Sequence, residues 1–336
     1  MSIILEHPNA KVKIDELSEG RRIIHITSDN LTKHPYVRLE TNYSIELIQK
    51  ILDVKGPLTL CDEIRREEDP YYTRVCLEQD LLAYRSEQDF AHKRILDFGC
   101  GGGASSIILA KMFPTAQIVG IDISDKLISL ATFRASQFNL KNISFICSKS
   151  GTELPPNLPN FDYIVLSAVL EHLLPEERIT ILSQLWSLLK HKSLLFINQT
   201  PYRYFPFEGH TTRLPFINYL PDKAAHLYAI TFSKRVPSSE SWATLLRRGI
   251  RGSHSKQILR ILTNADQTAK PEILTPTRLG YRDRIDVWYN GYAVSIAKKY
   301  PNVKRIQLIL KYFSKIIYLV SGIIFLPTIS LAIEKK

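Results

Sequence analysis

The stretch that most limits what this chain can fold into is Ile95-Leu96-Asp97-Phe98-Gly99-Cys100-Gly101-Gly102-Gly103, an apolar run that breaks into glycines. The run reads as a buried strand, and the glycines let backbone approach a ligand without Cβ interference. Ala104–Phe113 has helical composition and stops at Pro114. A second apolar run, Val119-Gly120-Ile121-Asp122, ends in a carboxylate 23 positions after Gly99, where a second parallel strand would finish beside the first. An acid at that place accepts hydrogen bonds from both hydroxyls of a ribose. Strand, glycine turn, helix, strand and acid together predict an adenosine-cofactor site.

Gly99, Gly101 and Ala104 also fit G-x-G-x-x-G/A, the dinucleotide pattern. Asp97 argues against it. A dinucleotide sets its pyrophosphate on this turn, and a carboxylate just before the turn repels that anion by on the order of a few kcal/mol at low effective dielectric. S-adenosylmethionine carries an ammonium and a sulfonium instead of a phosphate. At these residues the chain resembles the class I S-adenosylmethionine-dependent methyltransferases, whose first motif is an acid followed by G-x-G-x-G. Asp97, Gly99, Gly101 and Gly103 fill that motif, and Asp122 matches the family's ribose-binding acid. Phe161–Leu173 looks like the family's fourth strand and following turn, and Leu188–Asn198 like the helix end and fifth strand. The resemblance implies cofactor contacts from Asp97, Gly99, Gly101, Gly103, Asp122, Ile123, Ser148 and Ser167. The acid that often meets the adenine after the third strand is missing here. Ser148 or Ser150 stands in its place, with Lys149 between them as a solvated charge.

The expected fold is α/β: a Rossmann-like, seven-stranded, mostly parallel sheet with helices on both faces. Residues 91–200 supply its alternating core, with strands near 94–98, 117–122, 143–147, 162–166 and 193–198. Residues 1–90 form an N-terminal segment in which Tyr71 or Tyr72 is a candidate for a lid over the cofactor or for a surface turn. Residues 201–300 read as a helical insert capping the acceptor pocket, and 301–336 as a C-terminal helix and last sheet strand. Residues 316–333 carry no charge, so a membrane span competes there with a helix over 304–321 and an antiparallel strand over 325–333. Gly322 and Pro327 favour the helix and strand.

Charge is unevenly placed. Residues 200–336 hold 22 of the 44 Lys+Arg but only 8 of the 33 Asp+Glu, within a net charge of +11. That basic half suggests an acidic acceptor, an anionic membrane surface or nucleic acid, unless it is simply a solvated face. Cys61, Cys76, Cys100 and Cys147 lack any metal-ligand spacing. With no basic, apolar leader at the N-terminus, a cytoplasmic protein is expected, peripheral at the inner membrane surface if the Lys304–Lys315 helix is drawn to anionic lipid.

Methyl transfer needs alignment, and a base only where the nucleophile is protonated. His172 and His210 are the candidate catalytic residues, His172 with a packing role as its alternative and His210 with Glu208 near enough to orient it. Tyr202, Arg203 and Glu208 are candidates for binding an acidic or sugar-like acceptor. Glu208 and His210 are too few for a metal, so none is expected. Ser167-Ala168-Val169-Leu170 stands where base-amino methylation needs an Asn/Asp-Pro-Pro-aromatic tetrad. The expected activity is O-methylation of a small-molecule, glycan or lipid-linked acceptor. The alternatives are an RNA methyltransferase docking through the basic half, and a non-catalytic membrane-associated protein of the same fold.

Overall fold

The computed structural model describes residues 2–27 and 38–336. The chain opens with an antiparallel meander of β1 (Ser2–His7), β2 (Ala10–Glu16), β3 (Arg22–Thr27) and β4 (Arg38–Thr41). Alternation in β2 buries Val12 and Ile14 against α1 (Ile45–Lys55), which Ser44 caps by accepting from the Leu47 amide. Gly56 (φ 75°) turns the chain directly into α2 (Pro57–Glu68), and α3 (Val75–Leu82) follows a kinked turn at Pro70–Arg74.

The central sheet then forms as expected. Its elements are β5 (Arg94–Phe98), α4 (Ala104–Met112), β6 (Gln117–Asp122), α5 (Asp125–Gln137), β7 (Ile143–Cys147), β8 (Phe161–Ser167), α6 (Pro175–Leu188) and β9 (Leu189–Pro201). These five strands pair in parallel in the order β7-β6-β5-β8-β9. Their near-continuous apolar runs reflect burial on both faces. Beyond β9 come the short hairpin β10 (Phe207–Glu208) and β11 (Leu214–Pro215), then α7 (Asp222–Phe232), α8 (Trp242–Arg247) and α9 (Ser255–Ala265).

The stretch 201–300 is not one cap, however. Within it β12 (Pro271–Ile273) is an edge strand of the main sheet, and α10 (Arg284–Trp288) and α11 (Val294–Lys299) run back to the N-terminal helices. The terminal region resolves into α12 (Lys304–Ser321), ended by Gly322 at φ 69°, and β13 (Thr328–Lys335). β13 lies antiparallel between β9 and β12, so the sheet has seven strands with one reversed. Among the described residues no helix is long and apolar enough to cross a membrane.

α12 is inverted relative to an ordinary surface helix. Gln307 and Ser314 are buried, and Lys311 and Lys315 turn inward to Asp286 at 3.3 and 2.8 Å. Ile309, Phe313, Ile316 and Val320 face outward, Val320 with 85% of its surface exposed.

Candidate cofactor and acceptor site

The site lies at the carboxyl ends of β5, β6, β8 and β9, where open α/β sheets leave a crevice. Gly99, Gly101 and Gly103 all have positive φ, at 75°, 53° and 85°. They serve different ends. A Cβ on Gly103 would stand 2.7 Å from Ala131 Cβ, so this glycine lets α4 and α5 pack. A Cβ on Gly101 would meet nothing within 4 Å, because it would project into the cavity that a ligand would share.

Two cavities flank the turn. One, of about 490 Å³, has mostly apolar walls that include Phe98, Ile123, Val169 and Leu173, together with Asp122, Ser148 and His172. The other, of about 380 Å³ and more polar, is lined by Gly101, Ser167, Glu171, Gln199, His210 and, from the N-terminal segment, Tyr71 and Tyr72. They meet at Gly99 and Ala168, which line both.

Asp122 sits where β6 ends. Its Oδ2 accepts from the Gly101 amide at 2.9 Å and its Oδ1 from the Ser124 amide at 3.0 Å, so it braces the turn and keeps lone pairs for a ribose. Asp97 departs from expectation. It is fully buried, lines neither cavity, and accepts from the Ser105 and Ser106 hydroxyls at 2.6 and 2.5 Å, which ties the turn to the first turn of α4. Burial raises its carboxyl above the ordinary range against those two hydrogen bonds. Gly103 likewise lines neither cavity. Ser148 lines the apolar cavity, but its hydroxyl donates to the carbonyls of Ser150 (3.1 Å) and Glu153. Ser167 accepts from Gln199 Nε2 at 2.9 Å on the polar side.

The acceptor side changes more. Glu208 is buried, and its two oxygens accept from the amides of His210, Thr211 and Thr212 and from the Thr212 hydroxyl, at 2.5–2.8 Å. All its acceptor capacity goes to its own loop, so it holds the His210 backbone in place and does not bind an acceptor. Arg203 donates to the Asn218 carbonyl, and Tyr202 lies in the β-bridge to Ser253. Neither lines the cavities beside the glycine turn; Arg203 lines another with Arg178 and Arg251, and Tyr202 a third with His254 and Ser330.

His172 and His210 are brought together, with ring centroids 5.5 Å apart. His172 lines the apolar cavity, and its Nδ1 lies 2.8 Å from the Arg247 carbonyl. His210 lines the polar cavity, and burial lowers its pKa below the ordinary imidazole value. Between them is Glu171, fully buried, with Oε2 accepting from Thr200 Oγ1 at 3.0 Å and Oε1 without a hydrogen-bond partner among the described residues, 3.9 Å from His172 Nε2. Sequence reasoning gave Glu171 no role. The adjacency of Glu171 and His172 just past β8 was the available signal. Ala168 (φ 56°) and Gln199 (φ 59°) were missed entirely, since neither residue type advertises left-handed backbone.

Part of the chain is similar to known methyltransferases. Residues 89–234 match the family model described as a methyltransferase domain. A trans-aconitate 2-methyltransferase of Methylobacterium radiotolerans is 30% identical over 136 residues, which is 40% of this chain and 44% of that protein. A ubiquinone biosynthesis O-methyltransferase of Coxiella burnetii is 38% identical over 87 residues, 26% of this chain and 36% of that protein. The chain spans less than half the length of each of these relatives. The plantazolicin methyltransferase BamL, solved with S-adenosylhomocysteine, superposes with a TM-score of 0.48 at 17% identity, covering 86% of this chain and 95% of that one. The central part of the chain is similar to a methyltransferase domain, the match spanning less than half of the chain. The walls suit an adenosine cofactor such as S-adenosylmethionine: apolar surface for adenine, Asp122 for the ribose, and open space over Gly101.

Proposed function

We propose that this protein methylates a hydroxyl oxygen of a small-molecule, glycan or lipid-linked acceptor. One observation carries the choice of atom: Glu171 and His210 line the same cavity as Gly99 and Gly101. A hydroxyl is a poor nucleophile until it loses its proton, so an O-methyltransferase profits from a proton acceptor beside the cofactor. When bound, S-adenosylmethionine supplies an electrophilic methyl group. Gly99 and Gly101 admit it by lacking side chains, and Asp122 orients its ribose. The Glu171–His210 cluster takes charge of the acceptor's proton, and Tyr72 and Tyr292 close the cavity's far wall.

The test is methylation with isotopically labelled cofactor and a panel of hydroxylated acids, phenols and lipid-linked alcohols, with the product's methyl carbon identified by NMR. A methyl on oxygen is expected, with kcat down roughly 100-fold or more in His210→Ala. A methyl on carbon or nitrogen overturns the reading.

The outward face of α12 favours a lipid-linked acceptor over a freely soluble one. An apolar helix face left in water is a docking surface, and Lys304 and Arg305 lie exposed at its start. Its proposed occupant is an anionic bilayer. Co-sedimentation with phosphatidylglycerol vesicles is expected, and its loss in Ile309→Asp/Val320→Asp. A protein that ignores vesicles and runs as a dimer would show that α12 meets a second copy instead.

A further inference from the structure

Glu171, His172 and His210 form the one set of at least three His, Cys, Asp or Glu residues, among the described residues, whose ligand atoms all lie within 4.8 Å of each other. We propose that they bind a divalent transition-metal cation through one carboxylate oxygen and two imidazole nitrogens, with its open side toward the polar cavity.

Three observations support the site. First, Glu171 Oε1 is buried without a hydrogen-bond partner. An unpaired carboxylate oxygen out of water is costly, and a bound cation removes that cost. Second, His172 Nδ1 faces the Arg247 carbonyl at 2.8 Å. A carbonyl only accepts, so Nδ1 carries the hydrogen and the Nε2 lone pair is left 3.9 Å from Glu171 Oε1. A cation between them, a proton or a metal ion, satisfies both groups, and the titration below separates the two. The arrangement is also the one that orients metal-binding imidazoles, whose second nitrogen donates to a carbonyl or carboxylate.

Third, Gly249 cradles the other two groups. With φ at 90°, a Cβ on it would stand 2.9 Å from His210 Cδ2 and 3.1 Å from Glu171 Cγ. The chain therefore lets backbone close behind both side chains where any other residue would push them apart.

Two nitrogens and one oxygen suit zinc, manganese, cobalt or iron(II) better than magnesium or calcium, which prefer all-oxygen shells. Such ions hold neighbouring ligand atoms roughly 3 Å apart, so the three groups need draw in by about an ångström. The carboxylate comes from beyond β8 and not from Glu208, which is why His210 and Glu208 alone left the set short. The open side would accept the acceptor's hydroxyl oxygen, and the cation, occupying the Glu171 and His210 lone pairs, would lower that hydroxyl's pKa so that its proton leaves to water in place of a side-chain base. That role rests on the proposed O-methylation, whereas the binding itself does not.

The experiment is titration of chelator-treated full-length protein with Co²⁺, read by its visible absorption, and with Zn²⁺ and Mn²⁺, read by calorimetry and by the shift in melting temperature. One equivalent bound is expected, with affinity lower on the order of 100-fold in Glu171→Gln and His210→Ala. Gly249→Ala should weaken it too. His172→Ala and His210→Ala, both at exposed positions, serve as the ligand variants if Glu171→Gln fails to fold. Asp122→Ala should lose S-adenosylhomocysteine yet keep full cobalt stoichiometry, which separates this site from the cofactor reading. Absence of stoichiometric cobalt in the wild type, or binding indifferent to all three ligand variants, overturns the proposal.

Discussion

The two halves of the site are built on opposite principles. On the cofactor side, residues 97–173, regular strands satisfy their own backbone, so side chains at strand ends such as Asp122 and Glu171 keep capacity for a ligand. On the insert side, residues 202–251, the chain is largely irregular and its polar side chains stand in for the missing backbone ladder. Glu208 gathers three amides, while Arg203 and Arg251 collect the carbonyls of Ile217, Asn218 and Leu220. Buried backbone polar groups need partners, and in a loop the nearest side chains provide them. A polar residue in such a loop is therefore a weaker sign of ligand binding than one at a strand end.

Four substitutions press on that contrast. Gly103→Val should have the largest effect, since it forces a β-branched residue into left-handed backbone against Ala131; a loss of about 3–5 kcal/mol in chemical denaturation is expected. Gly101→Ala should fold with about 1 kcal/mol lost, yet bind S-adenosylhomocysteine poorly, because its space belongs to the ligand. If the two glycine variants behaved alike, the division of labour within the turn would be wrong. Asp122→Ala should weaken S-adenosylhomocysteine about 100-fold by calorimetry, which corresponds to two charge-assisted hydrogen bonds.

Glu208→Gln should show itself in stability. The replacement keeps one acceptor oxygen where two served four donors, so about 2 kcal/mol is expected from denaturant melts. If Glu208 instead touched the acceptor, KM would rise with stability unchanged. A further substitution lies outside both halves, at Asp80 in α3, whose carboxyl burial pushes up to about 7 while Ser330 donates to it at 2.5 Å. Its folded pKa lies above its unfolded one. The stability it lends is thus complete below about pH 4 and is lost as pH rises through 7. Asp80→Asn should be more stable than wild type at pH 8 by about 1–2 kcal/mol, and no more stable at pH 4.

Much of the fold was legible because it is written locally. β5 through β9 are apolar runs separated by helical segments, and the glycine turn follows its strand directly in sequence. The end of α12 and the start of β13 were marked by Gly322 and Pro327. The N-terminal meander was not legible, since its strands mix charges into the exposed face and pair only with one another. β12 escaped as well, being three residues long and defined solely by its partner β13.

The sequence by itself determined the cofactor half, because the required features, a turn, a helix start and an acid at a fixed spacing, lie within 25 residues and depend on local backbone geometry. Only the tertiary structure decided which polar residues are free to act. Whether Glu208 or Glu171 faces the cavity beside His210 depends on where the insert lays its loop over β8 and β9. That placement is set by the packing of segments up to 80 residues apart, such as Gly249 behind Glu171. A carboxylate reads the same in either place. Its chemistry is decided by how many donors surround it, and in this molecule those donors come from elsewhere in the chain.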